Sequence, residues 1–215
     1  MSSPNSLELL LVDDHAVVRA GYRRLLEQSG PDWQVAEAES GETAYRLFSE
    51  RRFDVVVMDL SLPGMSGLET LRRMIRRDAC ARVLVFSMHD QAVFAEQALE
   101  AGAAGYITKS SAPEILVEAV ISVATGHSYL GSDISRALAG HRAAPESTAI
   151  SQLSPREFEI FRLLAEGRGV ADIAELLNIG YKTAANYSST VRDKLDLNNT
   201  ADLTRLAIRE GIVRP

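Results

Sequence analysis

Hydrophobic and polar positions change rhythm along the chain. Up to about residue 125, short apolar runs alternate with stretches in which apolar residues recur every three or four positions. The runs Leu7–Val12, Trp33–Glu37, Asp54–Asp59, Arg82–Ser87 and Gly105–Thr108 predict strands. The stretches 15–29, 41–50, 66–77, 91–101 and 112–125 predict helices. Such alternation points to βα units and an α/β fold, a five-stranded doubly wound parallel sheet covered on both faces. DVVVM and RVLVF are apolar throughout, as strands buried on both sides must be. Gly102 and Gly105 stand where one helix ends and the next strand begins, and Pro113 suits a first helical turn.

Past Gly126 the rhythm fades. Residues 126–150 read as a linker with a short helix over 132–140 and a loop, HRAAPESTAIS, punctuated by Pro145, Ser147 and Thr148. From Ser154 the pattern is purely helical, at 154–166, 170–177, 181–195 and 200–210. This predicts a first domain over 1–125 and a small all-α four-helix domain over 151–215. Ser154, Pro155 and Glu157 form a capping box with a proline at the first helical position. Phe158, Phe161, Leu164 and Ala165 share one face of that helix. In 181–195 the spacing predicts a core stripe of Ala184, Tyr187, Val191 and Leu195, with Lys182, Asn186, Ser189 and Thr190 opposite. Two helices joined by a tight turn at NIG read as a helix-turn-helix; on pattern alone an ordinary helical bundle is as good a reading.

Composition narrows the chemistry. Hydrophobic residues make up 46% and charged residues 24%, ordinary for a globular chain. Cys80 is the single cysteine, which excludes an intrachain disulfide and a cysteine-built zinc cluster. No apolar run approaches the roughly 18–20 residues of a membrane span, and the start lacks a signal-peptide pattern, so a cytoplasmic protein is expected. The net charge of −6 lies in the first part: residues 1–130 carry 12 Lys/Arg against 18 Asp/Glu, whereas 151–215 carry nine of each. Any nucleic-acid binding by the neutral second part must come from a local face rather than from net charge.

The chemistry-bearing residues stand at strand ends. LELLLVDD ends in Asp13–Asp14, DVVVMD in Asp59, RVLVFS in Ser87 and GYITK in Lys109. In an open parallel sheet these carboxyl ends meet in one crevice. Asp13 or Asp14, with Asp59 and the backbone carbonyl of Ser61, can supply oxygen ligands to a hard cation such as Mg²⁺. Crowded carboxylates need such a cation for neutralisation. Asp59, alone at the end of the most apolar strand, is the natural nucleophile toward phosphorus. Lys109 and Ser87 are placed to offset charge on phosphoryl oxygens.

These segments, LLLVDDH, VVVMDLSLPGMSGLE, VLVFSMHD and AGAAGYITKS, resemble the receiver domain of bacterial two-component response regulators over residues 7–125. The resemblance implies a flavodoxin-like fold, Asp59 as phospho-acceptor, and Asp13 and Asp14 as the Mg²⁺ pair. It further implies Ser87 and Tyr106 as switch residues and Lys109 as the phosphoryl-contacting lysine. Ser61 and His89, two positions beyond Asp59 and Ser87, occupy sites that influence phosphoryl lifetime in this family.

LSPREFEIFRLLAEG, ADIAELLNIG and KTAANYSSTVRDKL resemble the LuxR-type helix-turn-helix domain of NarL/FixJ response regulators. That implies double-stranded DNA as partner, with Lys182, Thr183, Asn186, Ser189, Thr190 and Lys194 as candidate contacts. It also implies a sensor histidine kinase as phosphoryl donor and a homodimer in the active form. Ala184 stands where the family commonly has Val, and Ala185 where it commonly has a DNA-facing Lys. The expected protein is a phosphorylation-controlled transcription regulator and not an enzyme in its own right. The competing readings are a DNA-binding regulator whose receiver works without phosphorylation and a phosphatase-like enzyme.

Overall fold

The computed structural model describes residues 6–142, 149–177, 179–197, 199–210 and 212–213. The chain divides into two compact units, Met1–Pro145 and Glu146–Pro215. In the first, strands and helices alternate as β1 (Ser6–Val12), α1 (Ala16–Gln28), β2 (Asp32–Ala38), α2 (Gly41–Glu50), β3 (Val55–Met58) and α3 (Gly67–Arg77). They continue as β4 (Val83–Ser87), α4 (Ala92–Glu100), β5 (Gly105–Thr108), α5 (Pro113–Ala124), β6 (Tyr129–Leu130) and α6 (Ser132–Arg142). The strand order is β2-β1-β3-β4-β5-β6, and every pairing is parallel.

Strand periodicity divides the core between the two faces. Leu9, Leu11, Val57, Leu84, Phe86 and Ile107 pack with Leu116, Ala119, Val120 and Val123 of α5. The intervening residues Leu10, Val56, Met58, Val83, Val85 and Tyr106 are equally buried, on the opposite face. The chain leaves β1 in one direction toward β2 and in the other toward β3. The sheet therefore opens a crevice at the carboxyl ends of β1 and β3.

The sheet has six strands rather than the expected five. β6 is only two residues long and pairs Tyr129 and Leu130 with Gly105 and Tyr106 of β5. So short a run carries no alternation to read, and its strand character comes from the neighbouring edge. Residues assigned by pattern to a linker thus belong to the first unit. α6 packs against α4 and β5, burying Ile134 and Leu138. Of the loop expected over 141–151, residues 141–142 belong to α6 and 149–151 to a 3₁₀ turn, and 143–148 lie outside the described residues.

The second unit begins with a 3₁₀ turn (Ala149–Gln152), followed by α7 (Pro155–Ala165), α8 (Val170–Leu176), α9 (Tyr181–Leu195) and α10 (Thr200–Arg209). Both halves of the Ser154–Glu157 capping box are formed. Phe158, Phe161, Leu164 and Ala165 are buried, as their spacing predicts. The stripe on α9 differs: Ala184, Ser188, Val191 and Leu195 are buried, and Tyr187 is only partly so. Ser188 becomes a core residue by donating its hydroxyl to the Ala184 carbonyl at 2.8 Å, which satisfies its polar atom inside the helix. Asn178, within the expected NIG turn, lies outside the described residues, while Gly180 caps α9.

One glycine holds the loop that follows β3. A Cβ on Gly67, at the start of α3, would collide with the Asp59 carbonyl oxygen and with the Leu60 backbone. Neither is a flexible side chain. Gly67→Ala should therefore destabilise the first unit by about 1–3 kcal/mol. Urea unfolding followed by the fluorescence of Trp33, the only tryptophan and a buried one, measures this directly.

Candidate functional site

At the carboxyl ends of β1, β3 and β5 the sequence places three charged side chains that the fold brings into contact. Asp13 and Asp59 are almost fully buried, at 2% and 3% exposure. Lys109 reaches between them from 96 and 50 positions away, donating to Asp13 Oδ2 and to Asp59 Oδ2, both at 2.6 Å. Burial disfavours the charged ammonium, but Asp59 and Asp13 together outweigh it and hold the Lys109 pKa above its ordinary value. The remaining carboxylate oxygens are held by backbone. Asp13 Oδ1 accepts from His15 N at 2.8 Å, and Asp59 Oδ1 accepts from Ser61 N at a longer 3.3 Å.

Asp14 stands beside this cluster, partly buried, with its pKa raised. Burial is the main cause, and the neighbouring Asp59 and Asp13 add to it against the opposing pull of His15. Its Oδ1 atom is shut off from solvent and has only the His15 ring beside it, with Nδ1 2.7 Å away. Among the described residues, Asp13, Asp14 and His15 have ligand atoms within 4.8 Å of one another. A desolvated carboxylate next to two further carboxylates is a donor set suited to a hard divalent cation.

Ser87 and Tyr106 are both fully buried. The Tyr106 hydroxyl donates to the His89 carbonyl at 2.9 Å, so its ring lies inward. Burial, chiefly, drives its pKa far above the ordinary value and keeps the phenol neutral. The His89 ring carries a contact that residue spacing alone does not reveal. Its Nε2 lies 2.9 Å from Ser61 Oγ, joining the loop after Asp59 to the loop after Ser87. Phe94 packs on the other side of that ring, with centroids 4.6 Å apart.

Two supporting residues also escape the sequence reading. Arg19 Nη1 donates to the Asp13 carbonyl at 2.6 Å and fixes the backbone of the acid pair. Glu42 accepts from Met65 N at 2.9 Å and holds the LPGMSG loop, where Gly64 adopts a left-handed φ of 69°. Both act from positions that look like ordinary charged helix surface. A cleft of about 700 Å³ at the opposite end of the sheet is lined by Arg51, Arg52, Arg77 and Arg82. Arg77 and Arg82 donate there to the Ser49 and Ala124 carbonyls at the ends of α2 and α5, a helix-terminating role.

In the second unit, Lys182, Thr183, Asn186 and Ser189 are exposed on one side of α9. Two other candidates are placed differently. The Thr190 hydroxyl donates to the Asn186 carbonyl at 3.0 Å. Lys194 donates to Glu157 Oε2 at 2.7 Å and to the Gln152 carbonyl at 3.2 Å, so its ammonium is occupied within the domain. The charge of Glu157, fixed by the capping box, captures it.

Comparison with known proteins agrees with both halves. Residues 9–121 match the response regulator receiver domain family, and residues 151–207 match the bacterial regulatory proteins of the luxR family. The chain is 38% identical over 208 residues to the response regulator UvrY of Escherichia coli (strain K12), covering 96% of this chain and 95% of that one. A LuxR-family two-component response regulator from Aurantimonas sp. SI85-9A1 is 45% identical with a TM-score of 0.62, over 65% of this chain and 99% of that one. RcsB from Salmonella enterica serovar Typhimurium, solved bound to promoter rprA in the presence of phosphomimetic BeF₃⁻, is 26% identical with a TM-score of 0.56. That match covers 93% of this chain and 97% of RcsB. The buried Asp13–Lys109–Asp59 cluster and the helical second unit therefore belong to a two-component response regulator, with a receiver domain and a LuxR-type DNA-binding domain.

Proposed function

We propose that the chain takes a phosphoryl group on Asp59 from a sensor histidine kinase and that this controls its binding to double-stranded DNA. The observation that carries this reading is Lys109 bridging two buried carboxylates at equal distance. A structural ion pair needs one acid and one base. Here a second acid, and a third in Asp14, are kept at the cost of desolvation, which fits a site awaiting a further cation. Asp13, Asp14, Asp59 and the Ser61 carbonyl would hold Mg²⁺, which when bound offsets the negative charge of the carboxylates and of the incoming phosphoryl oxygens.

An Asp59 carboxylate oxygen forms the new P–O bond as the P–N bond to the donor's phosphohistidine breaks, the electron pair leaving on the imidazole nitrogen. Asp59 Oδ1, held only by the longer contact to Ser61 N, is the less committed oxygen. Lys109 then exchanges its bond to Asp59 for one to a phosphoryl oxygen, and Ser87 donates its hydroxyl to another. Attack of water on phosphorus releases phosphate and restores the carboxylate. Because Asp14 holds its proton to higher pH than an ordinary carboxyl, cation and proton compete there. No separate substrate is turned over, so the chain acts as a regulator rather than as an enzyme.

The exposed polar side of α9 is suited to the major groove: Asn186 can pair with adenine, and Ser189 and Thr183 can bond several bases. With Ala185 apolar and Lys194 engaged by Glu157, Lys182 is the main phosphate contact offered by this side of α9. Dimerisation in the active form and a cytoplasmic location complete the reading. The solved structure of two RcsB dimers bound to two parallel DNAs supports the dimer.

Two outcomes follow. With Mg²⁺ and acetyl phosphate, the wild type should gain the mass of one phosphoryl group and bind a selected DNA site about 5- to 150-fold more tightly, the usual span of allosteric coupling. Asp59→Ala should show neither change; tightening of this variant by the phosphodonor would refute the assignment. Separately, Lys182→Ala should lower DNA affinity uniformly across sequences and reduce the slope of log affinity against log salt by about 1. Lys194→Met should leave that slope unchanged.

A further inference from the structure

The segment GHSYLGSDIS, which by pattern is a linker, is fastened to the strand that carries the switch residues. β6 pairs with Gly105 and Tyr106 of β5, and Gly131 N donates to the Tyr106 carbonyl at 2.9 Å. Thr108, the cross-strand partner of Ser87, is 1% exposed. Its hydroxyl donates to Asp133 Oδ2, in the first turn of α6, at 2.6 Å. Gly131 leaves the space Asp133 occupies, since a Cβ there would lie 2.6 Å from Asp133 Oδ1. Ile134 and Leu138 complete the docking by burial, and α6 packs on α4 and β5.

We propose that α6 is the element that reads the phosphorylation site, held docked by the Thr108–Asp133 hydrogen bond and released when Asp59 is phosphorylated. The proposal rests on phosphoryl transfer to Asp59. Three contacts connect the two events. Lys109, next to Thr108, is bonded to Asp59 and must re-bond when the phosphoryl arrives; its backbone N also donates to the Ser87 carbonyl at 2.8 Å. Ser87, drawn toward the phosphoryl group, lies beside Thr108 in register. Electrostatics sets the direction. Tyr106, fully buried two positions before Thr108 on β5, feels the charge of both Asp59 and Asp133. Turning the Asp59 carboxylate, already −1, into an acyl phosphate of at most about −2 adds roughly one negative charge there. The part of that charge which Lys109 and a bound cation leave uncompensated acts against Asp133 and weakens its hold on Thr108. Residues 143–148 follow α6 directly and lead to the DNA-binding unit, so a helix that is docked or free is a two-state element both sites can bias.

The test is amide hydrogen exchange on the full chain, with and without Mg²⁺ and acetyl phosphate, alongside intact mass and DNA affinity. In the phosphorylated wild type, exchange over 132–142 should rise about tenfold. Asp133→Ala should show the same rise with no phosphodonor and bind DNA about five- to tenfold more tightly than unphosphorylated wild type, while taking up phosphoryl to the same extent. Thr108→Val should behave likewise, and the double variant should add nothing further. Asp133→Asn, which keeps an acceptor for Thr108, should restore low exchange. A phosphorylated wild type with unchanged exchange over 132–142 overturns the proposal alone. Absence of the phosphoryl mass overturns the reading of Asp59, and the proposal with it. Single variants that phosphorylate normally yet keep wild-type exchange and basal DNA affinity also overturn it.

Discussion

Two carboxylates cannot be buried side by side without a positive charge between them, and this requirement organises the first domain. Asp13 and Asp59 end adjacent strands, β1 and β3, so parallel pairing alone brings them together. Lys109 comes from the end of β5, across β4, and its ammonium reaches both. Breaking a buried pair by deleting one partner typically costs about 3–5 kcal/mol, because a charge is left without compensation. The site is thus both a structural clasp joining three strand ends and the place where added charge does most. The same low dielectric that makes the clasp expensive to break makes any charge added there felt by Ser87 and Tyr106.

Much of this can be read from the order of residues because strands are stiff and short. A polar group at the end of a fully apolar run has nowhere to go but the crevice, and Asp13, Asp59, Ser87 and Lys109 are all of that kind. The five principal strands and their helices follow from periodicity for the same reason. What escapes the sequence is decided by neighbours rather than by period. β6 exists because β5 offers an open edge. α6 docks through Ile134 and Leu138, too sparse a pair to announce a face, and through an aspartate that reads as an ordinary first-turn acid.

The second domain shows the same limit on a finer scale. Helical spacing admits either Tyr187 or Ser188 into the stripe of α9. The structure takes Ser188, because a back-bonded hydroxyl is small and satisfied whereas a buried tyrosine needs room and a partner. Lys194 looks like a phosphate contact in a linear reading. Its ammonium is bonded to Glu157, whose carboxylate is already fixed by the cap of α7. The face of α9 left to solvent is polar more than basic, with Lys182 beside the uncharged Thr183, Asn186 and Ser189.

The most direct test of the clasp is the stability of Lys109→Met, measured by urea unfolding in the absence and presence of Mg²⁺. The substitution keeps an unbranched, slightly shorter side chain and removes the ammonium with its two hydrogen bonds. Without Mg²⁺ the variant should be about 3–5 kcal/mol less stable than the wild type. Mg²⁺, by neutralising the same carboxylates, should stabilise the variant more than it stabilises the wild type. A variant as stable as the wild type, or one that Mg²⁺ stabilises no more than the wild type, would contradict the account.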